Sequence, residues 1–531
     1  MRALPPPEEV RALAERLVAI PSASPEVVAE TEFAAALRAS LPAGLERGEW
    51  YAPDGRPVLW ARLRGRGARP GRRRAALLLS HYDTVGVEEF AALGGRRGDR
   101  IAYDPAALRE LFLRYSGDTL PSGSHLLLQD LAEEKAHPGT WMFGRGAFDM
   151  KSGIAAALAA LEALAADESL AGDVLFVCCP DEEHASAGML AAVPELARLK
   201  EAEELDLVGA LNLDIAAAPV AYAGVMGKAL AGLYVLGRPT HAGMPFEGVD
   251  AVQLAASLTA RATASRELVD RAGEAVAAPA VALKLRDLKP GYNVQTAAEA
   301  VVELNLITIT RPLTETLDEL RRVSLDALSS LVRSMRELAS WVQPGVALRG
   351  ALAGGSLEEQ VLLWPELLRR AGEPGELFEV SESTDPRVAT LARMRHVVRE
   401  AKLQGPAIVL HLLPPYHPHA APGDGPLVRA ARAVMDREGL EVRPFYPYIT
   451  DASYLSWRAE APEALGRYMP CYGREYALPI EAMRALDLDV VNLGPWGRDA
   501  HGLFERVRCD WAFGRLPGIV AEVVKRSLEP Q

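Results

Sequence analysis

The chain has 531 residues, 49% hydrophobic and 24% charged, a composition that excludes extended disorder and leaves room for a large buried core. Acidic side chains outnumber basic ones by 71 to 58, and the formal net charge of -13 excludes a general attraction for nucleic-acid backbones or anionic membranes. Four cysteines, two of them adjacent at 178 and 179 in an apolar run, make no disulfide framework and fit a reducing cytoplasm.

The opening stretch "MRALPPPEEVRALAERLVAI" spaces its apolar residues as an amphipathic helix and has neither the apolar core nor the cleavage site of a signal peptide. No run of about 18 apolar residues suggests a membrane span. The basic stretch "RGRGARPGRRR", from Arg64 to Arg74, lacks interleaved aromatics and reads as a solvated hairpin or loop. From about 55 to 215, β-rich runs ("AALLLS", "DVLFVCC", "LVGALNL") alternate with Ala/Leu-rich helical patterns such as "SGIAAALAALEALAA". That alternation predicts a doubly wound α/β sheet.

A second pattern begins near "VMGKALAGLYVLGRPTHAG". It runs through a helix at about 250–271, the strand "AVALKLRDL", the turn "KPGYNVQT", the strand "AVVELNLITIT" and a long helix at about 313–341. This order predicts a small α+β sandwich inserted into the first domain. Residues 350–404 read as helical and loop-rich, and "PAIVLHLLPPY" as a strand closing the inserted sheet. After "PHAAPGDGP" the helix "LVRAARAVMDREG" and the strand "LDVVNLG" restore the α/β pattern. The expected organisation is a catalytic domain over 1–216 and 422–531, split by a lid domain over 217–421.

The α/β strands, or the loops after them, deliver ligand-type side chains: His81 and Asp83, Asp149, Glu182 and Glu183, Asp214, and His501. Singly, each has a bland reading. A histidine after a strand is commonly a core or surface residue, and "DEEH" suits a helix N-terminus. Together, two histidines and three carboxylates from five segments suit a pair of zinc ions, which would also relieve the mutual repulsion of the acids.

The set "SHYDTV", "FGRGAFDMKSG", "PDEEHASAGM", "NLD" and "DAHGLFERV" resembles the co-catalytic di-zinc family of aminoacylases, acetylornithine and succinyl-diaminopimelate deacylases, carboxypeptidase G and β-Ala-His dipeptidases. The resemblance implies an amidohydrolase cleaving an N-acyl amino acid or small peptide, with two divalent ions, zinc or alternatively cobalt or manganese. It implies that Asp149 bridges the ions, with His81 and Asp214 on one and Glu183 and His501 on the other. It further implies Asp83 as support for the His81 ring, Glu182 as general base, a cis peptide after Asp149, and His241 and Asn293 as lid residues near the oxyanion. Thr450 and Asp451 in "YITDASYLS" resemble a stretch close to the site.

Two features depart from the family pattern. On the lid strand, Asn305 and Ile307 stand where many members carry an Asp-x-Arg that grips the substrate carboxylate, leaving Arg311 or Arg498 as substitutes or as surface arginines. The long segment 88–138 and the addition at 350–404 resemble the arginine-utilisation (RocB-like) branch, which points to an acylated or peptidyl basic amino acid. Rival readings are a metal-dependent binding or regulatory protein on the same fold and a broad aminopeptidase. The resemblance leaves open a homodimer and a monomer with an enlarged lid. His411, His417 and His419 lie close together in sequence but lack a cysteine or acidic partner at ligand spacing, and read as core or interface residues.

Overall fold

Three of the apolar runs, Asp173–Cys179, Arg73–His81 and Leu205–Asn212, are neighbouring parallel strands in the computed structural model. The structure describes residues 4–67, 72–93, 98–115, 125–342, 357–372, 385–458 and 462–530. The expectations for 68–71, 94–97, 116–124, 343–356 and 373–384 lie outside the described residues. The chain forms two units. The first is Met1–Val225, Ala420–Trp457 and Pro479–Gln531; the second is Met226–His419 and Arg458–Leu478. The membership of 458–478 in the second unit has no counterpart in the boundaries read from sequence.

The first unit is built on an eight-stranded sheet. Its centre reads as near-continuous Val, Leu, Ala and Cys because both faces are covered, as parallel sheets require. The helix Lys151–Ala165 is buried along almost its whole length, its alanines allowing a close approach to the sheet. It shares the main core with helices Pro426–Arg437 and Leu516–Leu528. Val490–Asn492 extends the parallel run beside Leu205–Asn212. Four parallel strands therefore send their carboxyl ends to one edge, where open α/β sheets place their ligands.

The segment 88–138 adds the helices Pro105–Phe112 and His125–Ala136, which pack an aromatic cluster of Phe90, Phe112, Trp141 and Phe143. A small antiparallel sheet joins Trp141–Phe143 to the hairpin formed by Arg506–Arg508 and Gly497–Arg498.

The second unit has a five-stranded sheet in the order Val281–Asp287, Glu299–Thr308, Gly227–Leu236, Ala407–His417, Val361–Leu363. Ala407–His417 closes this sheet against Gly227–Leu236. The short strand Val361–Leu363 sits inside the stretch read as helical and extends the sheet in parallel. Three residues give too little period to identify it from sequence. The amphipathic helix Leu313–Val342 runs beside Ala251–Thr263, shorter than the 250–271 expected. Trp364–Arg370 and Pro386–Glu400 contribute to a further core with Tyr234 and Val409. Among the described residues, no helix is long and apolar enough to cross a membrane.

Candidate metal centre

At the carboxyl edge of the first unit, two triplets of donor atoms converge, each with its atoms within 4.8 Å of one another. One is His81, Asp149 and Asp214; the other is Asp149, Glu183 and His501. Asp149 belongs to both. His81 Nε2 lies 3.3 Å from Asp149 Oδ1 and 3.9 Å from Asp214 Oδ1. His501 Nε2 lies 3.1 Å from Asp149 Oδ2 and 3.0 Å from Glu183 Oε1. The Asp149-Met150 peptide is cis.

His81, Asp214 and Glu182 stand at or just after strand ends, Asp149 stands just before the helix Lys151–Ala165, and hydrogen bonds across the edge set their spacing. The Asp83 carboxylate accepts the backbone N–H of Glu182 and of Glu183, each at 3.0 Å. Its Oδ1 lies 3.4 Å from His81 Nδ1, while the Asp83 carbonyl oxygen is nearer at 3.2 Å. Asp83 is therefore more than the ring support implied by the resemblance, because two turn amides take its oxygens. The preceding Asp181 accepts from Arg56 Nη1 at 2.7 Å, and its own N–H donates to Glu30 at 3.1 Å.

Asp214 is held by its main chain. Asn492 Nδ2 donates to the carbonyls of Asp214 and Ile215, at 3.0 and 3.1 Å, and Asn212 Nδ2 links Asn492 to the Thr450 hydroxyl. A Cβ on Gly494 would stand 1.8 Å from the Asp214 carbonyl oxygen, so only glycine permits this approach. Asp451 is buried, and burial pushes it up to about 7, with Ser186 opposing.

A further pair, absent from the sequence reading, ties Asp149 to His501. The buried Glu505 accepts the N–H of Phe148 at 3.0 Å and of Asp149 at 3.2 Å. Its other oxygen accepts from Arg145, which also donates to the His501 carbonyl at 3.1 Å, to the Gly86 carbonyl at 3.1 Å, and to Glu89. Arg145 stands in "FGRGAFDM" and Glu505 in "HGLFERV". The signal was an arginine and a glutamate of opposite charge in two segments that must meet at one sheet edge.

Among the described residues, seven non-glycine residues have positive φ, and four of them, Asp181, Ser186, Asp499 and His501, belong to or flank the donor loops. That clustering is where stored backbone strain is expected.

Burial pushes Glu182 well above the usual carboxylate range; His81 opposes this, and Asp451, Glu183 and Asp214 add to it. Burial, then Asp149, push Glu183 up to about 7 and Asp214 up to about 6. Burial opposes charge on His501, but its hydrogen bonds to the Asp149 and Glu183 carboxylates outweigh it and hold the imidazole at about 11. The cluster is thus short of positive charge. The buried Asp149 Oδ1 has the His81 ring near it, at 3.3 Å, and the donors are imidazole nitrogens and carboxylate oxygens, a set that fits divalent ions.

In the second unit, His241 and Asn293 occupy paired segments, with Ala242 N–H donating to the Val294 carbonyl and Thr296 N–H to the Thr240 carbonyl, both at 2.9 Å. Both side chains are exposed. His241 Nδ1 accepts from Gly243 N–H, and Asn293 Oδ1 from Gln295 N–H. His411 and His417 are buried on the strand Ala407–His417, and they join neither donor triplet. All four cysteines are buried and free. Of the two substitute arginines, Arg311 caps the carbonyls of Glu267 and Val269, whereas Arg498 pairs with Asp130.

An α/β sheet whose parallel central strands end at two triplets of candidate metal ligands is an architecture suited to a metal-dependent hydrolase. The chain belongs to peptidase family M20/M25/M40, whose model matches residues 113–491, and is accordingly a metallopeptidase-type hydrolase. That match includes Asp149, Glu182, Glu183 and Asp214; His81 and His501 lie on either side of it. Over 504 residues the chain is 29% identical to protein RocB of Bacillus subtilis, covering 90% of this chain and 86% of that protein. It is 28% identical over 500 residues to the uncharacterized protein YqjN of the same organism, covering 90% and 87%. In fold it is similar to the di-peptidase Dug1p of Saccharomyces cerevisiae, with a TM-score of 0.54 and 11% identity, covering 99% of this chain and 97% of that one.

Proposed function

We propose that this chain hydrolyses an amide bond of an N-acyl amino acid or small peptide, using two zinc ions and Glu182 as general base. The observation that carries the reading is the pair of donor triplets sharing Asp149, with Glu182 next in the chain to Glu183 and both amides fixed by Asp83. Asp149, His81 and Asp214 would hold one ion, and Asp149, Glu183 and His501 the other. When bound, such ions supply Lewis acidity and a water acidic enough to ionise near neutral pH.

The remaining steps belong to the chain's own groups. Glu182 takes the proton of the attacking water at a carboxylate oxygen and returns it to the amine nitrogen as the C–N bond breaks. Burial suits it to that exchange, since it disfavours the charged carboxylate and so favours uptake of the proton. Asp83 keeps Glu182 and Glu183 in register. His241 and Asn293 are assigned to the developing oxyanion, where hydrogen-bond donors lower the barrier.

The test is amine release by zinc- or cobalt-loaded protein over a panel of N-acyl amino acids and peptides with free or blocked amino ends. Metal content is measured alongside. Glu182→Gln should bind two ions per chain and release at least about 100-fold less amine. Two bound ions with no release by the unaltered chain would favour a binding protein. A requirement for a free amino end would favour an aminopeptidase.

A further inference from the structure

A cleft of about 600 Å³ opens in the first unit beside the donor triplets. It is large enough for a small ligand. Its wall includes Phe148, which precedes Asp149, Ile215, which follows Asp214, and Ala500, which precedes His501. Chain neighbours of three donors therefore line one space. Leu126 and Leu127, from the helix His125–Ala136 in the long segment 88–138, form part of the same wall. Leu126 is 45% exposed, an apolar side chain presented without cover.

The polar side of the cleft is the hairpin carrying Arg498 and Arg506. These are directly paired across its two strands, an arrangement of like charges that needs compensation. Asp130 supplies it for both. Its oxygens accept from Arg498 Nη1 at 2.9 and 3.0 Å and from Arg506 Nε at 2.8 Å. Arg506 is 3% exposed and gives its Nη1 to the Phe504 carbonyl, so it is fully committed.

Arg498 is 32% exposed, and only its Nη1 has a hydrogen-bond acceptor among the described residues. Its Nε and Nη2 are left for a second anion. The guanidinium lies over Trp141, 5.8 Å from the ring centroid, which restricts its orientation. Asp499, at the exposed rim, accepts the Phe504 N–H. One carboxylate thus serves two guanidiniums, and the one with free donors borders a cleft with an apolar wall of Leu126, Leu127, Phe148 and Ile215 and a polar side that also includes Asp499 and Tyr448.

We propose that this cleft binds the part of the substrate that bears a free carboxylate and an apolar side chain, with Arg498 as the carboxylate anchor. The inference deepens the amide-hydrolase reading and rests on it for the word substrate. It gives the helix His125–Ala136 a role in specificity through Leu126 and Leu127. It also favours apolar over basic side chains, contrary to the expectation drawn from the RocB-like branch.

The test uses binding, so that it is separable from turnover. Zinc-loaded Glu182→Gln protein is titrated calorimetrically with N-acetyl-L-leucine and with N-acetyl-L-leucinamide, which differ at the carboxylate. The acid should bind about 10- to 100-fold more tightly than the amide, the scale of a charge-assisted hydrogen bond. Adding Arg498→Gln should abolish that preference while leaving amide binding and the melting temperature unchanged, because Arg506 continues to pair with Asp130. A second variant, Leu126→Asp, should weaken both probes at least about fivefold, since it puts a charge in the apolar wall. No binding of the acid, equal binding of the two probes, or a preference that survives Arg498→Gln would overturn the proposal. Loss of amide hydrolysis in the unaltered chain would overturn the functional reading and leave this binding result standing.

Discussion

Replacing Glu505 should damage metal binding without touching a donor atom. Glu505→Ala removes an acceptor from two buried N–H groups, those of Phe148 and Asp149, and leaves Arg145 with Glu89 as its remaining carboxylate. Breaking a buried ion pair from one side costs about 3 to 5 kcal/mol, and unsatisfied amides raise that figure. Glu505→Gln keeps the shape and one acceptor oxygen, so its cost should be about 1 to 3 kcal/mol. In both variants the backbone at Asp149 and, through Arg145, at His501 loses a tether. Removing such outer partners typically weakens metal affinity about 10- to 100-fold. Zinc affinity would be measured by competition with a chromophoric chelator, and folding by thermal melting at matched metal occupancy. A folded Glu505→Ala protein that binds both ions with unaltered affinity would refute the reasoning. So would a loss of affinity in Glu505→Ala matched by no loss in Glu505→Gln, since the charge would then be irrelevant.

Arg56→Ala should destabilise the chain by about 3 to 5 kcal/mol, because it strands the buried carboxylates of Glu30 and Asp181, and urea unfolding of Arg56→Ala against Arg56→Lys would measure it. Gly494→Ala should abolish occupancy of the ion proposed to bind at Asp214, since its Cβ would meet that residue's carbonyl; metal stoichiometry checks this. His411 is buried against Gly232, and burial pushes its imidazole down to about 4, with the Leu412 carbonyl opposing only in part. Below pH 6.5 the unfolded chain takes up a proton that the folded chain refuses. Stability should therefore fall between pH 6.5 and 4 by up to about 3 kcal/mol, and the fall should be smaller in His411→Asn.

The parts of this molecule legible in its sequence are those where one strand settles the matter. "AALLLSH" predicts a buried strand ending in His81 because an unbroken apolar run from Ala75 to Leu79 carries the signal, and the strand Arg73–His81 is there. "VVELNLITIT" and "PAIVLHLLPPY" are strands for the same reason. What the sequence conceals is partnership across it. Glu505 and Asp149, Asn492 and Asp214, and Arg56 and Asp181 are each separated by more than a hundred residues, and no local period marks which carboxylate meets which amide. Asp83 shows the limit within a motif. Its spacing from His81 was visible, but the two turn amides that occupy its oxygens come from 182 and 183.

The chain leaves the first unit after Val225 and re-enters it at Ala420, and these two residues exchange backbone hydrogen bonds of 2.9 and 3.0 Å. The join has a kinetic meaning. If 226–419 were still unfolded when those bonds formed, closing a loop of roughly 200 residues would cost about 4 to 5 kcal/mol in chain entropy. If the second unit folds first, Gly227 and His419 already lie together at its base, and that penalty has been met by its own sheet. An insertion that folds on its own sheet would thus lower the entropic cost of joining the two parts of the first unit at Val225 and Ala420.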